Sequence, residues 1–301
     1  MGTERKVLEF RVIRDELALL VAALINLVDR NFPPSLASIQ GLQPFLLVSL
    51  LAARNIYEAI CHLAADKPED PSRKVEFGIA ATPLARSLVD PLTTLIFMRE
   101  DLASRVVWYY RAGWRELKED FDRHQTSYGA DPAWRDWLAG FGQALETSRK
   151  IYGITEAQAA RLRNVKFWPI LGKILRDKLC LDPNNQEFLA YLNDWVYRGL
   201  SADTHMSAAG IIRLHRFLLP PRREERRKDI LLKLKSDRVF TATTLLVALC
   251  TEVNDLCKYG REDKLAYLWG ILKEYWGEAT DLFDRRYRTM LGLTPPTPTT
   301  P

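Results

Sequence analysis

Apolar residues return every three to four positions along nearly the whole chain, the period of a helix that buries one face. Strand signals, meaning short alternating runs rich in Val, Ile and Thr between glycine turns, are nearly absent. The pattern predicts helices at about 5–30, 36–65, 76–99, 101–125, 132–150, 155–179 (broken near Pro169), 185–218, 224–258 and 261–290. Proline and glycine mark the breaks at Pro33-Pro34, Pro68 to Pro71, Gly129 to Pro132, Asp182-Pro183-Asn184-Asn185 and Pro220-Pro221.

These breaks are short, as between helices packed in one bundle, and none has the composition of a flexible linker. No internal repeat is evident. The expected architecture is all-α: a single large helical bundle of about nine to eleven helices over residues 1–292. Within it, 104–165 is richer in charge and in surface-type tryptophans and reads as a peripheral helical insert. Residues 293–301 read as a disordered tail, because Thr294-Pro295-Pro296-Thr297-Pro298-Thr299-Thr300-Pro301 cannot form a helix.

Composition changes this picture little. Hydrophobic residues make up 47% and charged residues 27%, which excludes wholesale disorder, and eight tryptophans with eleven tyrosines call for a packed interior. A net charge of +5 permits contact with RNA or anionic lipid without requiring it. Cys61, Cys180, Cys250 and Cys257 are scattered on apolar helix faces with no CxxC pair, and read as reduced core residues. The N-terminus runs straight into charges at Glu9, Arg11, Arg14, Asp15 and Glu16, unlike a signal peptide. Leu17 to Val28 is too short to cross a bilayer, and Leu36 to Ala53 is interrupted by Ser38, Gln40, Gln43, Pro44 and Ser49. Both read as core helices of a cytoplasmic protein with no membrane partner.

The informative residues are then charges on otherwise apolar helices, since an unpartnered buried charge costs several kcal/mol. Arg54 and Glu58 lie four apart, as do Arg86 and Asp90, so each pair shares a helix face at salt-bridge range. They read as internal pairs that lock helix register, or as groups facing a polar cavity shared with a third set. That third set lies in Trp195 to His205, where Asp194, Arg198, Ser201 and His205 line one face of a continuous helix. Gly199 and Ser201 offer a second backbone reading, in which the helix breaks and Ser201 caps a new one with Asp203 in its first turn. Either arrangement brings a fixed cation near a titratable imidazole, a pair suited to a phosphodiester. His205 fits a general acid or base, Arg198 a clamp on the non-bridging oxygens, and Ser201 or Asp203 an orienting group. Read structurally, the same residues are a solvated polar face with a helix cap.

Tyr197-Arg198-x-Leu200-Ser201-x-x-x-His205, preceded by the apolar helix Leu84-Ala85-Arg86-Ser87-Leu88, resembles an uncharacterised bacterial family of helical domains of unknown function, over about residues 45–260. The Arg198-to-His205 spacing also resembles that of the HEPN superfamily of helical nucleotide-binding and ribonuclease domains. That resemblance implies a metal-independent, dimeric ribonuclease of a bacterial toxin or antiphage system. In it Arg198 and His205 promote attack of an RNA 2′-hydroxyl on the adjacent phosphate; the residue pattern adds Ser201, Asp203, Arg86 and Glu58 as supporting groups. The resemblance implies RNA, a second copy and a cognate protein as partners. The residue after the arginine is usually polar in that superfamily and is Gly199 here.

Other motifs subtract functions. His62 and His124 are isolated, and His215 lies ten residues beyond His205, so no metal is expected. The absence of GxGxxG, P-loop and GxSxG patterns disfavours dinucleotide, NTPase and α/β-hydrolase chemistry, and no cofactor is expected. Arg222 to Lys228 is a basic run diluted by Glu224 and Glu225 and reads as a solvated helix start. Trp108, Tyr109, Tyr110, Trp114, Trp134 and Trp137 recur at roughly helical spacing and read as core or partner-facing. The alternative to the ribonuclease is thus a non-catalytic helical protein-interaction module, with Arg198 and His205 in a structural polar network.

Overall fold

The computed structural model describes residues 2–64, 77–205, 207, 208, 210–212 and 224–293. The breaks at Pro68 to Pro71 and Pro220-Pro221, His215, the start of the basic run at Arg222 and the tail from Thr294 lie outside the described residues. Among the described residues the regular structure is helical throughout, with no strand, so the chain is an all-α bundle.

Helix α1 (Gly2–Arg30) is followed by the single turn α2 (Pro34–Ala37), then by α3 (Leu42–Ala64) and α4 (Phe77–Met98). A hairpin of α5 (Leu102–Tyr128) and α6 (Arg135–Ile151) leads to the short helices α7 (Glu156–Ala160) and α8 (Leu171–Arg176). Helix α9 (Pro183–Leu192) continues through a π-helical turn at Asn193–Tyr197 into α10 (Arg198–Thr204). Then come α11 (Glu224–Cys257), α12 (Glu262–Tyr275) and α13 (Gly277–Leu282), a second π-helical turn at Phe283–Tyr287, and α14 (Arg288–Met290).

Helix α11 is the axis of the bundle, with α1, α3, α4 and α12 packed around it. Every residue from Thr241 to Asn254 is buried, so no face of that stretch meets water. Two of its threonines find partners inside. Thr243 donates to the Val239 carbonyl (2.8 Å), and Thr251 donates to the Val247 carbonyl (2.8 Å) while accepting from Trp269 Nε1 (3.1 Å). Among the described residues, two helices, Leu42–Ala64 and Lys233–Cys257, are long and apolar enough to cross a membrane. The apolar window of the second is 83% buried inside the bundle, that of the first 39%. All four cysteines are free, and burial raises each thiol, which suppresses thiolate character.

Four predicted helices are broken differently. The segment predicted at 36–65 turns before Leu42, where Gly41 has φ +92° and the Tyr110 hydroxyl donates to its carbonyl (2.9 Å). The segment predicted at 155–179 survives only as short pieces. There Arg115 takes the Val165 carbonyl (2.6 Å) and Trp108 Nε1 the Phe167 carbonyl (3.1 Å), so side chains replace the helical ladder. The helix predicted to reach 218 stops at Thr204, because the chain folds back so closely that a Cβ at Gly210 would run into the Ala202 carbonyl. The final helix breaks at Trp276, whose backbone is extended and whose ring stacks on Phe240 (5.6 Å between centroids).

The α5–α6 hairpin packs a small second core of Trp114, Leu145, Ile154 and Val165. Trp114 Nε1 donates to the Leu145 carbonyl (2.9 Å), and Arg111 Nε donates to the Tyr152 carbonyl (2.8 Å). Trp108, Tyr109 and Trp168 meet edge to face beside Phe97 and Phe45, joining this unit to the main core.

Candidate functional site

Arg198 and His205 lie on one continuous stretch of helix. Gly199 does not interrupt it, so Ser201 is a helix-interior residue and not an N-cap, and its carbonyl accepts the His205 N–H (3.0 Å). The two side chains are separated by about two turns, roughly 10 Å along the axis. Arg198 is 74% exposed and pairs with Asp194 across one turn (3.3 Å). His205 is exposed at the helix C-cap. Among the described residues no hydrogen bond joins Arg198 to His205.

The supporting residues point elsewhere. Asp203 turns inward and pairs with Arg238 (3.5 Å), whose Nε donates to Thr82 Oγ1 (3.0 Å), so α10 is fastened to α4 and α11. Arg86 pairs with Asp90 (2.7 Å) and lays its guanidinium over the Tyr197 ring, 3.7 Å from the centroid. Arg86 thus reaches the π-helical turn next to Arg198. Glu58 does not join them. It is exposed and pairs with Arg54 (3.7 Å) at the surface; Asp90 is exposed too, so neither i,i+4 pair is sealed inside.

Sequence reasoning missed the most deeply buried charge. Glu252 of α11 is 0% exposed and is held by two guanidiniums. Arg99 donates to it at 2.6 Å, and Arg286 donates to it through Nε and Nη2. Arg99 also meets Asp255, while Arg286 Nη1 donates to Asn185 Oδ1 (2.6 Å). The Asn185 amide in turn donates to Glu100 (2.9 Å), which accepts Arg105 (2.6 Å) and the N–H groups of Leu181 (2.9 Å) and Asp182 (3.2 Å). Burial alone would raise the Glu100 carboxyl, but the donors Leu181, Asn185, Arg105 and Asp182 hold it below the usual range. A polar cleft of about 510 Å³ opens here, lined by Arg99, Glu100, Leu181, Asp182, Asn185 and Arg286. Glu252 and Asp255 face Arg99 and Arg286, and Glu100 faces Arg105, so the network fastens the start of α9 and the second π-helical turn to α11. The only signal in the sequence was one glutamate inside the apolar run of α11.

The far end of the α5–α6 hairpin carries a different kind of surface. His124, Tyr128, Trp134, Trp137 and Phe141 form one continuous set of ring contacts. Trp137 is 47% exposed and Tyr128 41%. Among the described residues no group of three or more His, Cys, Asp or Glu side chains is placed to hold a metal ion. No protein-family model, curated protein or solved structure matches the chain.

Proposed function

We propose that this chain is a non-catalytic helical interaction module whose binding face is the aromatic end of the α5–α6 hairpin. The observation that carries this reading is the exposure of Trp137 and Tyr128 within a contiguous ring cluster, on a hairpin braced by the buried Trp114–Leu145 bond and tied to the bundle through Arg105 and Tyr110. Exposed aromatic clusters on rigid supports are the ordinary anchors of protein–protein contacts. The stripe around Arg198 favours the same reading, because Asp203 pairs with Arg238 of another helix, Arg86 stacks on Tyr197, and Arg198 is paired with Asp194.

A HEPN-like ribonuclease acting on RNA is the second reading, favoured by the solvent exposure of Arg198 and His205. It requires the Arg198 guanidinium to leave Asp194 for a phosphate.

Fluorescence of 1-anilinonaphthalene-8-sulfonate with the native full chain tests the proposed face. The dye brightens with the wild type, and W134A/W137A loses most of that enhancement at an unchanged unfolding midpoint. Equal enhancement by the variant contradicts the proposal.

A further inference from the structure

The aromatic face is shaped as a corner. Tyr128 and Trp134 stack with ring centroids 4.4 Å apart and planes 11° from parallel. Trp137 stands at right angles to Trp134 (88°, 5.5 Å), so one stacked pair and one perpendicular indole make two walls. Beside Trp137 lies a shallow hollow of about 410 Å³, lined also by Asp136, Gly140 and Phe141. At Gly140 nothing lies within 4 Å of where a Cβ would sit, so the hollow is open along its floor.

The charges nearby argue against a nucleic acid as the occupant. Asp136 sits in the lining, Asp131 caps the turn before Trp134, and Arg123 is paired with Asp120. A strand-binding platform needs a basic groove along its stacking rings, whereas here the exposed Arg135 is flanked by Asp131 and Asp136. Perpendicular aromatic walls suit proline instead. Its ring packs flat on an indole, and a polyproline II helix has no internal hydrogen bonds, so its carbonyls are available to indole N–H donors.

The chain itself contains such a segment. In Thr294-Pro295-Pro296-Thr297-Pro298-Thr299-Thr300-Pro301, Pro295, Pro298 and Pro301 recur every third residue, and no side chain is charged. In a polyproline II helix, with three residues per turn, prolines at that spacing would share one edge, about 19 Å long at about 3.1 Å per residue. An uncharged edge of prolines is the kind of surface that flat aromatic walls take.

We propose that the corner formed by Tyr128, Trp134 and Trp137 is a polyproline II docking site, and that its occupant is the Thr294–Pro301 segment of this chain. The edge bearing Pro295, Pro298 and Pro301 lies against the rings. The proposal rests on the interaction-face reading above and names what that face takes.

The test uses full-length protein in which P295A, P298A and P301A remove the internal competitor, with a synthetic Thr294–Pro301 peptide as probe. The peptide shifts, saturably, the indole N–H resonances of Trp134 and Trp137, assigned by their loss in W134A and W137A. Truncation at W137A weakens binding at least about tenfold, as for an interface anchor, and W137F retains part of it. A peptide with the same three prolines replaced by alanine shifts nothing. If the wild-type peptide leaves both indoles unmoved while the dye still binds at these rings, the docking proposal is overturned and the interaction-face reading stands. If neither probe responds to the rings, both fall.

Discussion

A carboxylate with 0% exposure between two arginines is tolerable only while every partner is in place. Glu252 meets Arg99 and Arg286, which come from the end of α4 and from the second π-helical turn. Removing it leaves two guanidiniums short of their counter-charge in the interior. Glu252→Leu should therefore lower stability by about 3–5 kcal/mol, read as a shift in the denaturant midpoint. The same cluster sets the acid limit of the fold. Asp255, like Glu100, is held below its usual value: burial would raise it, and Lys258 and Arg99 outweigh that. A carboxylate depressed in the folded state stabilises above its unfolded value of about 4 and loses that contribution as pH falls through the folded value. The midpoint should then drop as pH is lowered below about 4, and drop less steeply in E100Q, which lacks the titrating group. A flat midpoint through that range would contradict the assignment. None of this was visible in local spacing. Arg99 and Glu100 look like ordinary helix-end charges, and the partner Glu252 lies 153 residues away from Arg99. The i,i+4 pairs at Arg54 and Arg86 were visible because both members sit on one turn.

Elements were legible where they bury a regular face and illegible where a side chain substitutes for the backbone ladder. The long helices follow the three-to-four-residue period of their core positions. The residues from Val165 to Ile170 do not, because Arg115 and Trp108 take their carbonyls. The π-helical turns at Asn193–Tyr197 and Phe283–Tyr287 each insert one residue, rotating the next stretch of helix by roughly 100°. A strict helical period cannot anticipate that rotation. Gly41 shows the same dependence at a turn. Its φ of +92° disfavours any side chain, and a Cβ there would sit 2.5 Å from Tyr110 Cε2. Gly41→Ala should cost about 2 kcal/mol or more and should loosen the docking of Tyr110, detectable as faster amide exchange around Leu42.

At the scale of the whole molecule, the all-α bundle was readable from composition and period, whereas the choice of functional surface was not. Tryptophans at helical spacing looked alike in sequence, yet Trp114 is buried with its indole bonded to Leu145 while Trp137 stands half in solvent. Trp114→Ala should cost about 3–5 kcal/mol, and Trp137→Ala less than about 1 kcal/mol. Similar losses from the two would mean that Trp137 is a core residue and that the hairpin offers no free face. The stripe from Arg198 to His205 was found by spacing, but its environment depends on helices far away in sequence, which spacing does not report.

The measurement that bears most directly on the account is the fate of mixed RNA incubated with the purified full-length chain, with its ends analysed chemically. A non-catalytic module leaves wild type, R198A and H205A with the same intact RNA and no 2′,3′-cyclic phosphate ends. Cyclic phosphate produced by the wild type and abolished in both variants would contradict it, and would make Arg198 and His205 a catalytic pair.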